Sequence, residues 1–372
     1  ILSTMVLVTL SGGANIYAGG DYMQKAMFPH DFSIQGKGTT GEQMDQVLTE
    51  FVNEQQLPVT KKGVYPYYTM GVTSHADNQL DINAAAQKFV TPKTYILAVS
   101  EADYQSMTGK TLDLGDDEVA LYQQGVKLDP KQDLQLAGQT FKIKEELKED
   151  FIFGHLPDQM NMIVPEKIYM VLKNPDQIFS AMTDKYAVNL NYYGWLDTKL
   201  STEEQRNLRD AYQEKLQQFN QTLPENQAVY GSVTAFDKQE IKGMLGGMFF
   251  IGIFLSIVFM LGTILIIYYK QISEGYEDRD RFVILQKVGL DEKQIRQTIR
   301  KQILIVFFLP LAFAFIHLTF AYHMLSLILS ALGVLNSALM LAVTLGVCAI
   351  FFISYVIVFM ITSRSYRKIV SM

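Results

Sequence analysis

The sequence predicts an α-helical membrane protein with four transmembrane helices and one α+β extracytoplasmic domain. Three observations carry that prediction. Four apolar runs approach or reach membrane-spanning length, a long polar block separates the first from the second, and basic residues crowd into one short loop and the C-terminal tail. The expected order is a transmembrane helix over 1–20, the extracytoplasmic domain over 21–240 and a second transmembrane helix over 241–270. A cytoplasmic segment over 271–302, a third helix over 303–323, an outer loop over 324–337, a fourth helix over 338–363 and a cytoplasmic tail over 364–372 complete it.

A helix needs roughly 20 mostly apolar residues to cross the hydrocarbon core. The first run, Ile1–Ala18, is short and interrupted by Ser11, Gly12, Gly13 and Asn15; its glycines suggest close helix contact. It starts at once, without a methionine or a basic lead-in. We therefore read the span as truncated and the chain as cut from a longer one. Met244–Tyr269 and Ala338–Thr362 carry no charge, and Ile303–Tyr322 holds Pro310, expected to kink it, and His317.

Charge sets the expected orientation. Residues 1–269 hold 21 Lys and Arg against 32 Asp and Glu, whereas 270–301 hold eight basic and six acidic residues. Arg364, Arg367 and Lys368 follow the last span, and Met324–Ser337 has no charge. The positive-inside rule then puts 270–301 and the C-terminus in the cytoplasm and the polar block outside. The single cysteine, Cys348, lies in an apolar run, so an intrachain disulfide is excluded.

The polar block reads as α+β. Gly41–Gln55 has helical spacing, with Met44, Val47, Leu48 and Phe51 on one face. Thr94–Val99 is a strand, followed by a helix start at Ser100-x-x-Asp103. Glu118–Gln123 and Leu134–Ile143 each read as one strand. Tyr186–Trp195 alternates, with Val188, Leu190 and Tyr192 on one face. Ser201-x-x-Glu204 opens a helix with Leu208, Tyr212, Leu216 and Phe219 on its stripe, and Ala228–Phe236 is a last strand.

The most informative stretch is Lys270–Gln302. Alternating charges lead to the apolar patch Phe282, Val283, Ile284, Leu285 and Val288, then to Gly289 as a break, and Asp291-x-x-Gln294 can cap the next helix. Such a segment either docks a partner or lies on the lipid surface. The run Arg281-Phe-Val-Ile-Leu-Gln-Lys-Val-Gly-Leu-Asp-Glu-Lys-Gln-Ile295 resembles the signature of FtsX-like permeases of ABC transporters, part of the MacB-like superfamily. The order of one span, a large outer domain and three spans resembles it too.

The resemblance implies a permease subunit that couples to a separate cytoplasmic ABC ATPase through Glu277, Arg281, Phe282, Leu285, Lys287 and Gly289. The charge order Glu-Asp-Arg-Asp-Arg departs from the commoner Arg-Glu pattern of the family. ATP belongs to the partner, and neither a cofactor nor a nucleic acid is expected in this chain. The layout looks like the C-terminal part of a bacitracin-resistance type permease of Gram-positive bacteria. That implies a multi-pass protein of the bacterial cell membrane in antimicrobial-peptide resistance, export or sensing. A rival is a signalling module acting on a cell-wall hydrolase or a sensor histidine kinase, and a receptor or enzyme merely anchored by spans is a third.

Other features keep two readings. Tyr192, Tyr193 and Trp195 read as strand packing or as a surface for a peptide or lipid substrate, as do Tyr65, Tyr67 and Tyr68. His317 and His323 lie in or near the third span as packing or functional residues. His30, His75 and His155 lack metal-ligand spacing. Gly109-Lys110-Thr111 lacks the upstream glycine of a phosphate-binding loop, having Tyr104 there. No catalytic residues are expected.

Overall fold

The computed structural model describes residues 1–76, 78–84, 93–157, 164, 166–182, 185–225, 227–287, 289, 292–331 and 337–370. It divides into a sheet unit, Asp21–Lys242, and a helical unit made of Ile1–Gly20 and Gly243–Met372.

The sheet unit begins in the last turns of α1 (Leu2–Met27) and continues through β1 (Phe32–Lys37), α2 (Gly41–Gln55), β2 (Val59–Ala76), β3 (Gln79–Ile82), β4 (Thr94–Ser100) and α3 (Glu101–Thr108). Next come β5 (Glu118–Gln124), β6 (Leu134–Leu136), β7 (Gln139–Glu146), β8 (Glu166–Leu172) and the short α4 (Pro175–Phe179). β9 (Val188–Thr198), α5 (Thr202–Asn207), α6 (Arg209–Asn220), β10 (Ala228–Val233) and the start of α7 (Thr234–Lys287) follow.

The strands form one sheet in the order β10-β1-β9-β2-β3-β6-β7-β5-β8-β4, and β4 also pairs with β2. That last pairing closes β2, β3, β6, β7, β5, β8 and β4 into a ring. Alternate residues of its strands point inward, including Met70, Val72, Leu80, Ile96, Leu121, Leu134, Phe141, Ile168 and Met170, with Phe179 of α4 among them. Closure removes edges that would otherwise template aggregation. β2 can serve three partners because it is long: residues from Val59 to Met70 pair with β9, Tyr68–Val72 with β4 and Val72–Ala76 with β3. Pro66, which has no N–H to give, falls before β4 arrives.

The other part of the sheet, β10-β1-β9 and the first half of β2, is covered by α2 and α6. Phe32, Ile34, Met44, Leu48, Phe51, Tyr212 and Leu216 fill this layer. α2 is specified locally as the sequence predicts. Thr40 and Gln43 form a capping box, and Met44, Val47, Leu48 and Phe51 are its buried residues. Ser100 caps α3, and Ser201 with Glu204 boxes α5.

Three expectations are corrected. Leu134–Ile143 is two strands, because Ala137 and Gly138 both take positive φ, 52° and 84°, and fold it into a hairpin. Ala228–Phe236 stops being a strand at Val233: the Thr234 N–H donates to the Asp31 carbonyl at 2.9 Å and a helix starts there. The alternation in β9 does not track burial, since Leu190 is 39% exposed while Tyr193, Gly194, Trp195 and Leu196 are all buried. β9 lies between β1 and β2 with side chains packed on both faces.

The helical unit contains the first part of α1, most of α7, α8 (Glu292–Ala331) and α9 (Ser337–Val370). Among the described residues, three stretches are long and apolar enough to cross a membrane: Thr234–Glu277, Leu304–Ser330 and Ser337–Arg364. α1 is helical but is not among them, because small and polar residues dilute its apolar run. One side of it is buried, with Val6, Leu7, Ser11 and Asn15 covered. Glycine permits its contact with α7: a Cβ on Gly252 would lie 3.0 Å from the Thr9 carbonyl oxygen. Thr9 Oγ1 and Ser256 Oγ are 2.8 Å apart, and Asn15 Nδ2 donates to Thr344 Oγ1 of α9 at 3.0 Å.

Pro310 lies inside α8, which stays helical through it. Proline removes one donor and crowds the preceding turn. The Tyr355 hydroxyl of α9 donates to the buried Phe307 carbonyl at 3.0 Å, which supplies a donor next to that defect.

Candidate functional site

The first candidate region is the junction of α7 and α8. α7 has 54 residues, about 80 Å of helix at 1.5 Å per residue, against about 30 Å of bilayer hydrocarbon. It therefore exceeds a single crossing by a wide margin. Its end, up to Lys287, carries the predicted charge-rich segment as continuous helix. Glu277, Arg281 and Lys287 are exposed, and Ile284 is 61% exposed. Glu277, Arg281 and Ile284, spaced i, i+4 and i+7, share one helix face. Phe282 and Leu285 belong to the same helix, but their side chains lie outside the described residues, as do Val288 and the predicted cap Asp291.

Gly289 has φ +102°, and a Cβ there would meet nothing within 4 Å. Backbone conformation alone demands glycine at that point. It separates α7 from α8, which resumes at Glu292. An exposed helix end bearing both charge and apolar side chains, followed by a glycine at positive φ, can present a small docking face to a protein.

The second region is a cleft of about 590 Å³ in the sheet unit, between the end of α3 and the segment after β7. Tyr104, Met107, Thr108 and Lys110 line one side, and 145–151 with Phe153 and His155 line the other. The sequence Glu-Glu-Leu-Lys-Glu-Asp-Phe-Ile-Phe explains the lining. Leu147, Phe151 and Ile152 are buried, which leaves Glu145, Glu146 and Glu149 exposed. Asp150 Oδ1 accepts the N–H groups of Ile152 and Phe153 at 3.0 and 3.1 Å and holds the turn. Lys110 pairs with Glu149 at 3.3 Å, an exposed pair of small energetic weight. Phe153 stacks on Tyr22, with ring centroids 4.4 Å apart. Burial, then repulsion from His30 and Lys61, lowers the pKa of His155.

Of the aromatic residues singled out in the sequence, Tyr193 and Trp195 are enclosed by protein, while Tyr192 is half-buried beside the α2 layer. Tyr65 is buried against Trp195, with centroids 5.6 Å apart, and Tyr68 donates to Asp176 Oδ1 at 2.7 Å. Tyr67 is partly buried. Burial raises the pKa of the Tyr65, Tyr67, Tyr68 and Tyr193 hydroxyls, so all four stay neutral.

His30 and His155, unremarkable by spacing, meet beneath the cleft, with His30 Nε2 3.2 Å from the His155 carbonyl. The side chain of His75 is outside the described residues. His317 Nδ1 lies 3.4 Å from Thr4 Oγ1, and the His323 carbonyl accepts from Ser326. Among the described residues no group of three His, Cys, Asp or Glu is placed to hold a metal ion. Sequence reading missed the cleft, although its acidic-apolar run was a usable signal. It also missed Asp197, which lies 167 residues from its partner His30.

No family model matches the chain. It is similar to the ABC transporter permease protein YxdM of Bacillus subtilis (strain 168), at 34% identity over 119 residues. That stretch is 32% of this chain and 18% of YxdM. It is also similar to YvcS of the same strain, named an uncharacterized ABC transporter permease, at 30% identity over 132 residues, 36% of this chain and 19% of YvcS. The matched stretch thus spans under a fifth of either curated relative. These partial similarities, with three stretches among the described residues able to cross a bilayer, support a multi-pass membrane protein.

Proposed function

We propose that this chain is a permease subunit, or a large part of one, that couples a separate cytoplasmic ATPase to an extracytoplasmic sheet unit. The observation that carries this reading is the end of α7. It continues as helix with Glu277, Arg281, Ile284 and Lys287 exposed, and it stops before Gly289. Similarity to two proteins named ABC transporter permeases supports it, as does the basic excess of 270–301, which favours a cytoplasmic location for that helix. α1 serves as a fourth crossing. The coupling residues are Glu277, Arg281, Phe282, Leu285, Lys287 and Gly289, and ATP stays on the partner.

Handling of amphipathic cationic peptides fits the acidic excess of the sheet unit and its carboxylate-rimmed cleft. Large apolar side chains face outward along the three apolar stretches, which favours action on molecules at the membrane surface over passage through a wide aqueous pore. The same outward-facing spans would also suit transmission of ATPase motion to a sensor kinase or cell-wall hydrolase.

Co-expression with a candidate ABC ATPase subunit tests the proposal. The complex is expected to copurify, and ATP hydrolysis in lipid nanodiscs is expected to depend on the chain. Gly289→Ala is expected to lower that dependence several-fold while the complex still forms, because Ala at positive φ costs about 1–2 kcal/mol locally. Absence of copurification, or unchanged ATPase stimulation after deletion of 277–289, would overturn it.

A further inference from the structure

We propose that His30 is a proton-operated strap. With both ring nitrogens protonated it ties the cleft-lining loop 150–156 to the base of the sheet unit, and loss of one proton releases that tie. The inference stands on the sheet unit alone and does not depend on the permease reading.

The geometry is specific. His30 is 7% exposed. Its Nδ1 lies 3.1 and 3.2 Å from the two carboxylate oxygens of Asp197, and its Nε2 lies 3.2 Å from the His155 carbonyl oxygen. A carboxylate and a carbonyl only accept, so both bonds form together only when both nitrogens carry hydrogen. The ring lies flat on Trp195, at 3.9 Å between centroids and 16° between planes, a favourable seat for a cation.

The anchor is equally defined. The Asp31 N–H donates to Asp197 Oδ1 at 3.1 Å, and Asp31 Oδ2 accepts the Thr198 N–H at 2.7 Å. Thr234, the first residue of α7, donates its N–H to the Asp31 carbonyl and its hydroxyl to the His30 carbonyl. His30 therefore sits on the residues that link the end of α1, the end of β9 and the start of α7. Its ring reaches from there to the cleft wall.

Deprotonation acts in one direction. The remaining hydrogen stays with Asp197, because a hydrogen bond to a charged acceptor is about twice as strong as one to a neutral acceptor. Nε2 then turns a lone pair on the His155 carbonyl oxygen, and the strap to the loop is lost. Ile152 and Leu156, both fully buried, and the Phe153–Tyr22 stack still hold the loop in outline. The expected result is loosening, not unfolding.

Asp197 of β9 faces the ring directly, and Lys61 of β2 acts on both Asp197 and His155. Lys238 of α7 acts on Asp31. Asp197 is pushed up by burial, but the hydrogen bond and charge of His30 bring it below the usual carboxylate range, so it stays ionised. The pKa of His155 is lowered by burial, so its own ring is neutral where an ordinary histidine begins to charge. Tyr65 and Tyr193 stay neutral.

The test is hydrogen exchange on the whole chain in nanodiscs, from about pH 5 to about pH 9. The amides of Ile152, Phe153, His155 and Leu156 are followed after correction for intrinsic exchange. Their protection is expected to fall about tenfold toward alkaline pH, a local opening with the rest of the sheet unit unchanged. His30→Gln is expected to exchange fast and without pH dependence. His155→Gln keeps the carbonyl and is expected to keep the response. Asp197→Asn removes the charge that favours the cation and is expected to move the transition to lower pH, which keeps the proposal testable where His30→Gln fails to fold. Identical profiles for wild type and His30→Gln, loss of the response in His155→Gln, or an unmoved transition in Asp197→Asn overturns it.

Discussion

In the sheet unit Ile168, Met170 and Leu172 are fully buried, whereas in the helical unit Phe250, Ile257 and Ile353 are each more than half exposed. Polar residues also line the helix contacts. Ser11, Asn15, Ser256 and Thr344 are buried between the helices, at 5% exposure or less. Water drives the first arrangement, because removing apolar surface from it stabilises the fold. Lipid supplies no such drive, so the second relies on close backbone approach and hydrogen bonds between helices. One chain thus follows two packing rules, and the solvent on each side decides which one applies.

That contrast can be broken at defined positions. Truncation inside the ring, Ile168→Ala, is expected to cost about 2–5 kcal/mol, read as a lower unfolding midpoint of the sheet unit. Ile257→Ala on the outer face of α7 is expected to be close to neutral in detergent or lipid. Comparable losses at both positions would mean that Ile257 is covered by protein.

The next effect is steric. Gly252→Leu places a side chain where a Cβ alone meets the Thr9 carbonyl at 3.0 Å. Overpacking of this kind costs about 1–3 kcal/mol, and thermal stability of the purified chain in lipid is the readout. Separation of α1 from α7 would also remove the Thr9–Ser256 contact. An unaffected midpoint would show that the two helices do not rely on this approach.

Acid separates the units further. Asp197 has its carboxyl held below the ordinary range by His30, so its contribution is present above that range and is lost as pH falls through its folded value. Acidification is expected to destabilise the sheet unit, and Asp197→Asn to flatten that dependence in a pH series of melting curves. The helix contacts Thr9–Ser256 and Asn15–Thr344 carry no charge and are expected to show no such dependence. The smallest effect is Asn15→Leu, which removes one interhelical hydrogen bond, on average about 0.6 kcal/mol in a membrane. A double-mutant cycle with Thr344→Val measures it.

Much of this was legible in the sequence where local rules suffice. Ser100 and Ser201 announced their helices through caps, the spacing of Met44, Val47, Leu48 and Phe51 announced α2, and the apolar runs announced α7, α8 and α9. Reading failed where the decisive contact is remote. β9 lost its alternation because both its faces are packed. α7 starts early because Thr234 is bonded to residues about two hundred positions upstream. Closure of the ring by β2 and β4 is a matter of topology, which no local pattern encodes. The charged end of α7 and the break at Gly289 were readable because charges and a glycine mark them in a short window. The His30–Asp197–Trp195 cluster was not, since its members come together only after β9 is placed.

Cross-linking from Ile284 tests the account most directly. A photoreactive amino acid there, on the exposed end of α7, is expected to cross-link in living cells to the co-expressed ATPase subunit. The yield is expected to change with the nucleotide state of that subunit. Cross-links to lipid alone, or labelling of this position from outside intact cells by a membrane-impermeant reagent after Ile284→Cys, would contradict it.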